Sequence, residues 1–130
     1  LSELVEPQVV KQARRATATS RVMTVVLEGE IGLGEAGDVT AMLRRLLVKG
    51  VTQVVVDLSE VSHFDYRGVR PLMREAEALR ERGGELCLAG LSPYLHAIFR
   101  SAGAHEAFDY FADAADACRA LEGDLPLQAG

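Results

Sequence analysis

The chain has 130 residues, 48% hydrophobic and 25% charged, with a formal net charge of −5. That size and mixture predict one globular domain with a genuine core and argue against disorder. The acidic balance weighs against nucleic-acid binding, which calls for a basic excess, and no apolar run approaches the roughly 18 residues of a membrane span.

The opening "LSELVEPQVVKQARR" carries charges where a signal peptide needs an apolar core, so a cytoplasmic protein without direct membrane insertion is expected. Residues 1–20 are read as an N-terminal strand or arm: "PQVVKQARR" suits a strand or a short helix, and "ATATS" reads as a turn. "RVMTVVLEGEI", Arg21 to Ile31, is rich in β-branched residues and predicts a strand. "GLGEAG" then reads as a loop leading to Asp38 as N-cap. The helix beyond it places Val39, Met42, Leu43 and Leu46 at i, i+3, i+4 and i+7 and stops at Gly50.

"TQVVVDL" has the short, β-branched pattern of a central strand, ending near Asp57, with "SEVS" as its exit. A second amphipathic helix turns Val69, Leu72, Met73, Ala76 and Leu79 inward and ends at Gly83-Gly84. "ELCLAG" is a third strand. A helix entered through Ser92 and Pro93 carries Leu95, Ile98, Phe99 and Ala102 on one face. "FDYFA" predicts a last strand, and "DAADACRAL" a last helix capped by Asp113, with Ala114, Ala117, Cys118 and Leu121 inward. Residues 122–130 read as a loose tail. Alternating strands and helices with short connectors predict an α/β domain over residues 21–121, with βαβ crossovers and a mostly parallel sheet.

Chemistry is sparse. Gly32-Leu33-Gly34-Glu35-Ala36-Gly37 fits a dinucleotide-binding fingerprint, with Asp57 twenty residues on. Glu35, however, would set a negative charge against the pyrophosphate, and the chain is too short for the second half of such a sheet. A plain loop is the preferred reading. His63, His96 and His105 are scattered, and Cys87 and Cys118 lie far apart among apolar residues, as buried reduced thiols would. No catalytic residue, cofactor site or metal site is expected.

The stretch "HFDYRGVR" holds more interest. Asp65 can accept hydrogen bonds from free N–H groups ahead of the second helix. Pro71 is tolerated only in a first turn, which starts that helix near Arg67 or Gly68. Tyr66 and Arg67 are then displayed in the turn, with Arg70 and Arg74 following at i+3 and i+7 from Arg67. Such a basic helix start suits an anion or an acidic partner surface.

Asp57-Leu58-Ser59, Asp65-Tyr66-Arg67-Gly68, Gly83-Gly84, Ser92-Pro93 and Ala102-Gly103, in that order and spacing, resemble the STAS domain of bacterial anti-sigma factor antagonists. The resemblance covers Arg21 to Leu121. It implies a single domain with a mixed, mostly parallel four- to five-stranded sheet and about four helices. It also implies a non-catalytic binding module in bacterial signalling or transcription regulation, whose partner is an anti-sigma-like serine kinase or another signalling protein.

In that family the turn reads Asp-Ser-Ser-Gly, and phosphorylation of its first serine breaks the complex. Here Tyr66 stands at the phosphoacceptor position and Arg67 follows it, so the serine switch is expected to be absent. Gly32 likewise replaces an Asp of the family pattern. Asp65, Tyr66, Arg67, Gly68, Arg70 and Arg74 are the expected partner-binding residues, with Ser62 or Tyr66 left as places for a relocated switch. The alternatives are an accessory subunit of a lipid-transport ABC complex and a nucleotide-binding domain. An exposed N-terminal edge strand offers a route to a homodimer.

Overall fold

In the computed structural model, residues 2–5, 13–19 and 21–122 are described. Six strands form one sheet in sequential order. They are β1 (Ser2–Val5), β2 (Ala13–Thr19), β3 (Val22–Ile31), β4 (Gln53–Phe64), β5 (Glu85–Ala89) and β6 (Asp109–Phe111). The first three pair antiparallel, and β3 to β6 pair parallel. The expected mixed sheet is therefore present, with β1 and β2 added at its N-terminal edge. "ATAT", read as part of a turn, lies within β2, where Ala16 to Thr19 pair with both β1 and β3.

Four helices complete the domain: α1 (Leu33–Val48), α2 (Val69–Glu81), α3 (Pro93–Ser101) and α4 (Ala114–Leu121). Right-handed crossovers repeated in one direction put every connecting helix on the same face of a sheet. Accordingly α1, α2 and α3 share a core with Met23, Val25, Leu27, Val54, Val56, Leu86 and Leu88. Alternate residues of the same strands, Val22, Val55, Cys87 and Ala89, pack on the other face against Ala117 of α4. The period-2 alternation of strand side chains thus builds both cores from one set of strands. Cys87 and Cys118 are free thiols, the first buried and the second half-buried.

Two boundaries differ from expectation. Helix α1 begins at Leu33, not after Asp38, so "GLGEAG" is no loop. The Glu35 carboxylate accepts from the Gly32 N–H at 3.1 Å, and Ala36 is buried as the first member of the apolar stripe. Capping and burial outweigh the helix cost of Gly34 and Gly37, each about 1 kcal/mol. Strand β4, for its part, does not stop near Asp57. It leaves β5 at the Asp57–Ala89 pair but follows β3 as far as Ile31–Phe64. The extension carries Val61 and Phe64 into the core and delivers the chain to the start of α2.

Candidate docking site

Phe64 anchors the turn from below, its ring 5.2 Å from that of Phe99 on α3. The next residue, Asp65, donates its backbone N–H to Ile31 O at 2.8 Å, tying the turn to the end of β3. A single 3-10 turn, Tyr66–Gly68, then leads into α2. Pro71 is the third residue of α2, where no intrahelical N–H bond is lost. The expected start near Arg67 or Gly68 is thus met by the short turn and then by α2 proper.

Asp65 Oδ1 accepts from the Arg67 backbone N–H at 2.9 Å and from its Nε at 3.0 Å, while Oδ2 accepts from Nη2 at 2.8 Å. Side-chain hydrogen bonds from Arg67, followed by its backbone N–H, hold the Asp65 carboxyl down at about 2. The same pairing raises Arg67. Asp65 and Arg67 therefore form a closed clasp, and Arg67 is not the free cation its exposure suggests.

Gly68 is buried, and a Cβ there would lie 2.4 Å from Ala36 Cβ of α1 and 3.3 Å from Phe64 Cε1. Its part is to let α1 and the turn meet closely, beneath the surface. Tyr66, by contrast, is 60% exposed. Arg70 and Arg74, one helical turn apart, are exposed and make no ion pair among the described residues. The structure thus brings Asp65, Tyr66, Arg67 and Arg70 together, sets Arg74 farther along α2, and places Gly68 below them. Ser62 is exposed on β4, just before the turn.

Helix α3 contributes residues that sequence reasoning passed over. His63 Nδ1 and Tyr94 Oη are 2.7 Å apart. Two hollows flank Tyr66 and Arg67. One, about 370 Å³, is bounded by Arg70, Ser101 and Ala102, and the other, about 340 Å³, by His63, Asp65 and Ile98. Among the described residues, the exposed large hydrophobic side chains are Leu33 at 46%, Val48 at 78%, Tyr66 at 60% and Tyr94 at 54%. Leu33, Tyr66 and Tyr94 open α1, the 3-10 turn and α3, and so ring the carboxyl ends of β3, β4 and β5. Open α/β sheets bind their ligands at this edge.

The other histidines lie apart. The His96 ring lies 5.3 Å from that of Tyr110, tilted against it by 48°, and exposed His105 faces its neighbour Glu106 at 3.6 Å. No helix of the described residues is long and apolar enough to cross a membrane.

The family model for the STAS domain matches residues 13–117. The chain belongs to the STAS domain family. A curated relative from Bordetella bronchiseptica, BtrV, named as an anti-sigma factor antagonist, is 29% identical over 82 residues, which are 63% of this chain and 71% of that protein. The anti-sigma factor antagonist SpoIIAA in its unphosphorylated form superposes with a TM-score of 0.65 at 18% identity, covering 95% of this chain and 99% of that one. A sulfate transporter family protein from Wolinella succinogenes superposes with a TM-score of 0.66 at 21% identity, covering 81% and 88%. At such identities the two structures show the STAS fold alone. This STAS domain is accordingly similar to anti-sigma factor antagonists in sequence and fold.

Proposed function

We infer that this STAS domain is a non-catalytic protein-binding module in bacterial, cytoplasmic regulation, docking through Tyr66, the Asp65–Arg67 clasp, Arg70 and Arg74. Its partner is an anti-sigma-like serine kinase or a related signalling protein. The contact is constitutive with respect to serine phosphorylation. One observation carries this reading: Tyr66, 60% exposed, fills the first position of the turn where the family resemblance puts a phosphoacceptor serine. A serine kinase has no substrate hydroxyl there. Tyrosine and arginine, moreover, are enriched among residues that anchor interfaces.

Co-purification of the tagged domain from its own cells tests the mapping. Tyr66→Ala and Arg67→Glu lose the partner while keeping the wild-type circular dichroism, Tyr66→Ala at the wild-type melting temperature and Arg67→Glu at a lower one because its clasp with Asp65 is gone; retention of the partner by both variants refutes the assignment. The likeness to a sulfate transporter family protein supports a second reading, in which the same face meets a permease or a transporter ATPase. Recovery of a membrane complex, rather than a soluble ATPase, favours that reading.

A further inference from the structure

Tyr94, Ile98, Ser101 and Ala102 lie at i, i+4, i+7 and i+8 on α3, and so share one helix face. Ile98 bounds one of the two hollows beside Tyr66 and Arg67, and Ser101 and Ala102 bound the other. His63, in the wall of the first, is hydrogen-bonded to Tyr94. The hollows are therefore two parts of one groove between α3 and the start of α2. At 1.5 Å per residue, the lining residues from Ile98 to Ala102 span about 6 Å along α3, roughly one turn of helix.

Tyr66, Ile98 and Ala102 supply the groove's apolar and aromatic contact surface, with Phe64 buried beneath it and exposed Tyr94 beside it. Its charge is one-sided. The Asp65–Arg67 clasp is internally neutral, which leaves Arg70 in the wall and Arg74 one turn beyond it without acidic partners among the described residues. This uncompensated positive end belongs to a chain whose net charge is −5.

From this charge pattern we propose that the groove seats a short amphipathic helix of the partner protein. Its apolar face lies along α3, and its acidic residues meet Arg70 and Arg74. The proposal rests on the reading of this face as a docking site and specifies the chemistry of what docks there. Burial of apolar side chains supplies affinity, while the two arginines set direction and reject basic segments.

The test uses two synthetic helical peptides of equal length and identical leucine spacing, one with glutamates and one with lysines on the polar face. Each is titrated into the full chain labelled with nitrogen-15, with amide shifts followed by NMR. The glutamate peptide is expected to shift amides around Tyr66–Arg74 and Tyr94–Ala102, and the lysine peptide to leave them in place. Arg70→Glu with Arg74→Glu weakens the glutamate peptide about tenfold or more, because two exposed attractions become repulsions. Both side chains are exposed and make no ion pair among the described residues, so the variant keeps the wild-type circular dichroism.

Equal binding of the two peptides, shifts confined to other surfaces, or no shift at millimolar peptide overturns the proposal. These results stand apart from the fate of the constitutive-contact reading. A groove that takes the glutamate peptide, beside a native complex released by ATP, sinks only the latter.

Discussion

Gly68→Ala isolates the close approach that seats the docking turn on α1. The new methyl would lie 2.4 Å from Ala36 Cβ, roughly 1 Å short of the 3.4 Å at which ordinary contact begins. The opposing atom is bonded directly to the α1 backbone and has no rotamer to escape through, so relief requires the helix itself to move. Gly68 has φ −84° and ψ −9°, values that alanine adopts freely, so backbone strain adds nothing. Overpacking of this kind costs about 1–3 kcal/mol, and the rigid neighbour points to the upper half of that range. The lower entropy of the unfolded alanine chain returns about 0.5 kcal/mol. A net loss of about 2 kcal/mol corresponds to a fall in Tm of about 8 °C for a domain of this size.

Urea unfolding monitored by circular dichroism, with calorimetry for Tm, measures the loss. Ala36→Gly removes the clashing methyl at its own cost of about 1 kcal/mol in helix propensity and about 0.8 kcal/mol in burial. The double variant should therefore be more stable than the sum of the two single losses predicts, by about 2 kcal/mol. An unchanged Gly68→Ala stability, or strict additivity, refutes the close approach.

Gly37→Ala meets no atom within 4 Å and lies inside α1, so urea unfolding should show a gain of about 0.5–1 kcal/mol; a loss would mean that the segment is not helical. The Asp65 carboxyl, lowered to about 2 by Arg67, contributes stability that is fully present above the unfolded-state carboxyl value of about 3.9 and disappears as pH falls through about 2. Carbon-13 titration should find the Asp65 midpoint raised part of the way to its ordinary value in Arg67→Ala, which keeps the backbone N–H bond, and an unmoved midpoint would dissolve the clasp. Glu75, 2% exposed on α2, accepts from Arg44 Nη2 at 2.5 Å across the α1–α2 contact. Arg44→Ala strands that carboxylate and should lower the urea midpoint, whereas an unchanged midpoint would show that water already serves it. Burial pushes the Cys87 thiol up to about 12, so thiol-reactive reagents should leave it unlabelled at pH 8 in the native protein and label it in urea, as read by mass spectrometry.

The parallel part of the fold was legible because its strands are β-branched runs and its helices are spaced stripes. Leu95 and Phe99 are fully buried on the face predicted for them, and Ser92 and Asp113 cap as expected, accepting from the N–H groups of Leu95 and Asp116. "GLGEAG" misled because local glycine content argues for a loop, whereas the Glu35 cap and the burial of Ala36 are tertiary facts. "ARRATAT" shows no clear apolar alternation, so β2 becomes visible only through its pairing with β3.

At the site, the turn chemistry of Asp65 was readable from sequence, but the Arg67 clasp and the α3 wall were not. Tyr94 was not singled out from the sequence. Its bond to His63 spans 31 positions and has no sequence signature. The Arg44–Glu75 pair is hidden in the same way.

The central claim, a partner contact with no serine switch, is tested most directly by an ATP challenge. The purified complex with its partner ATPase is incubated with magnesium and ATP, its dissociation followed by size-exclusion chromatography and the intact mass of this chain by mass spectrometry. The account predicts an intact complex and an unchanged mass. Release of the domain with a phosphoryl group on Ser62, Tyr66 or any other hydroxyl would contradict it.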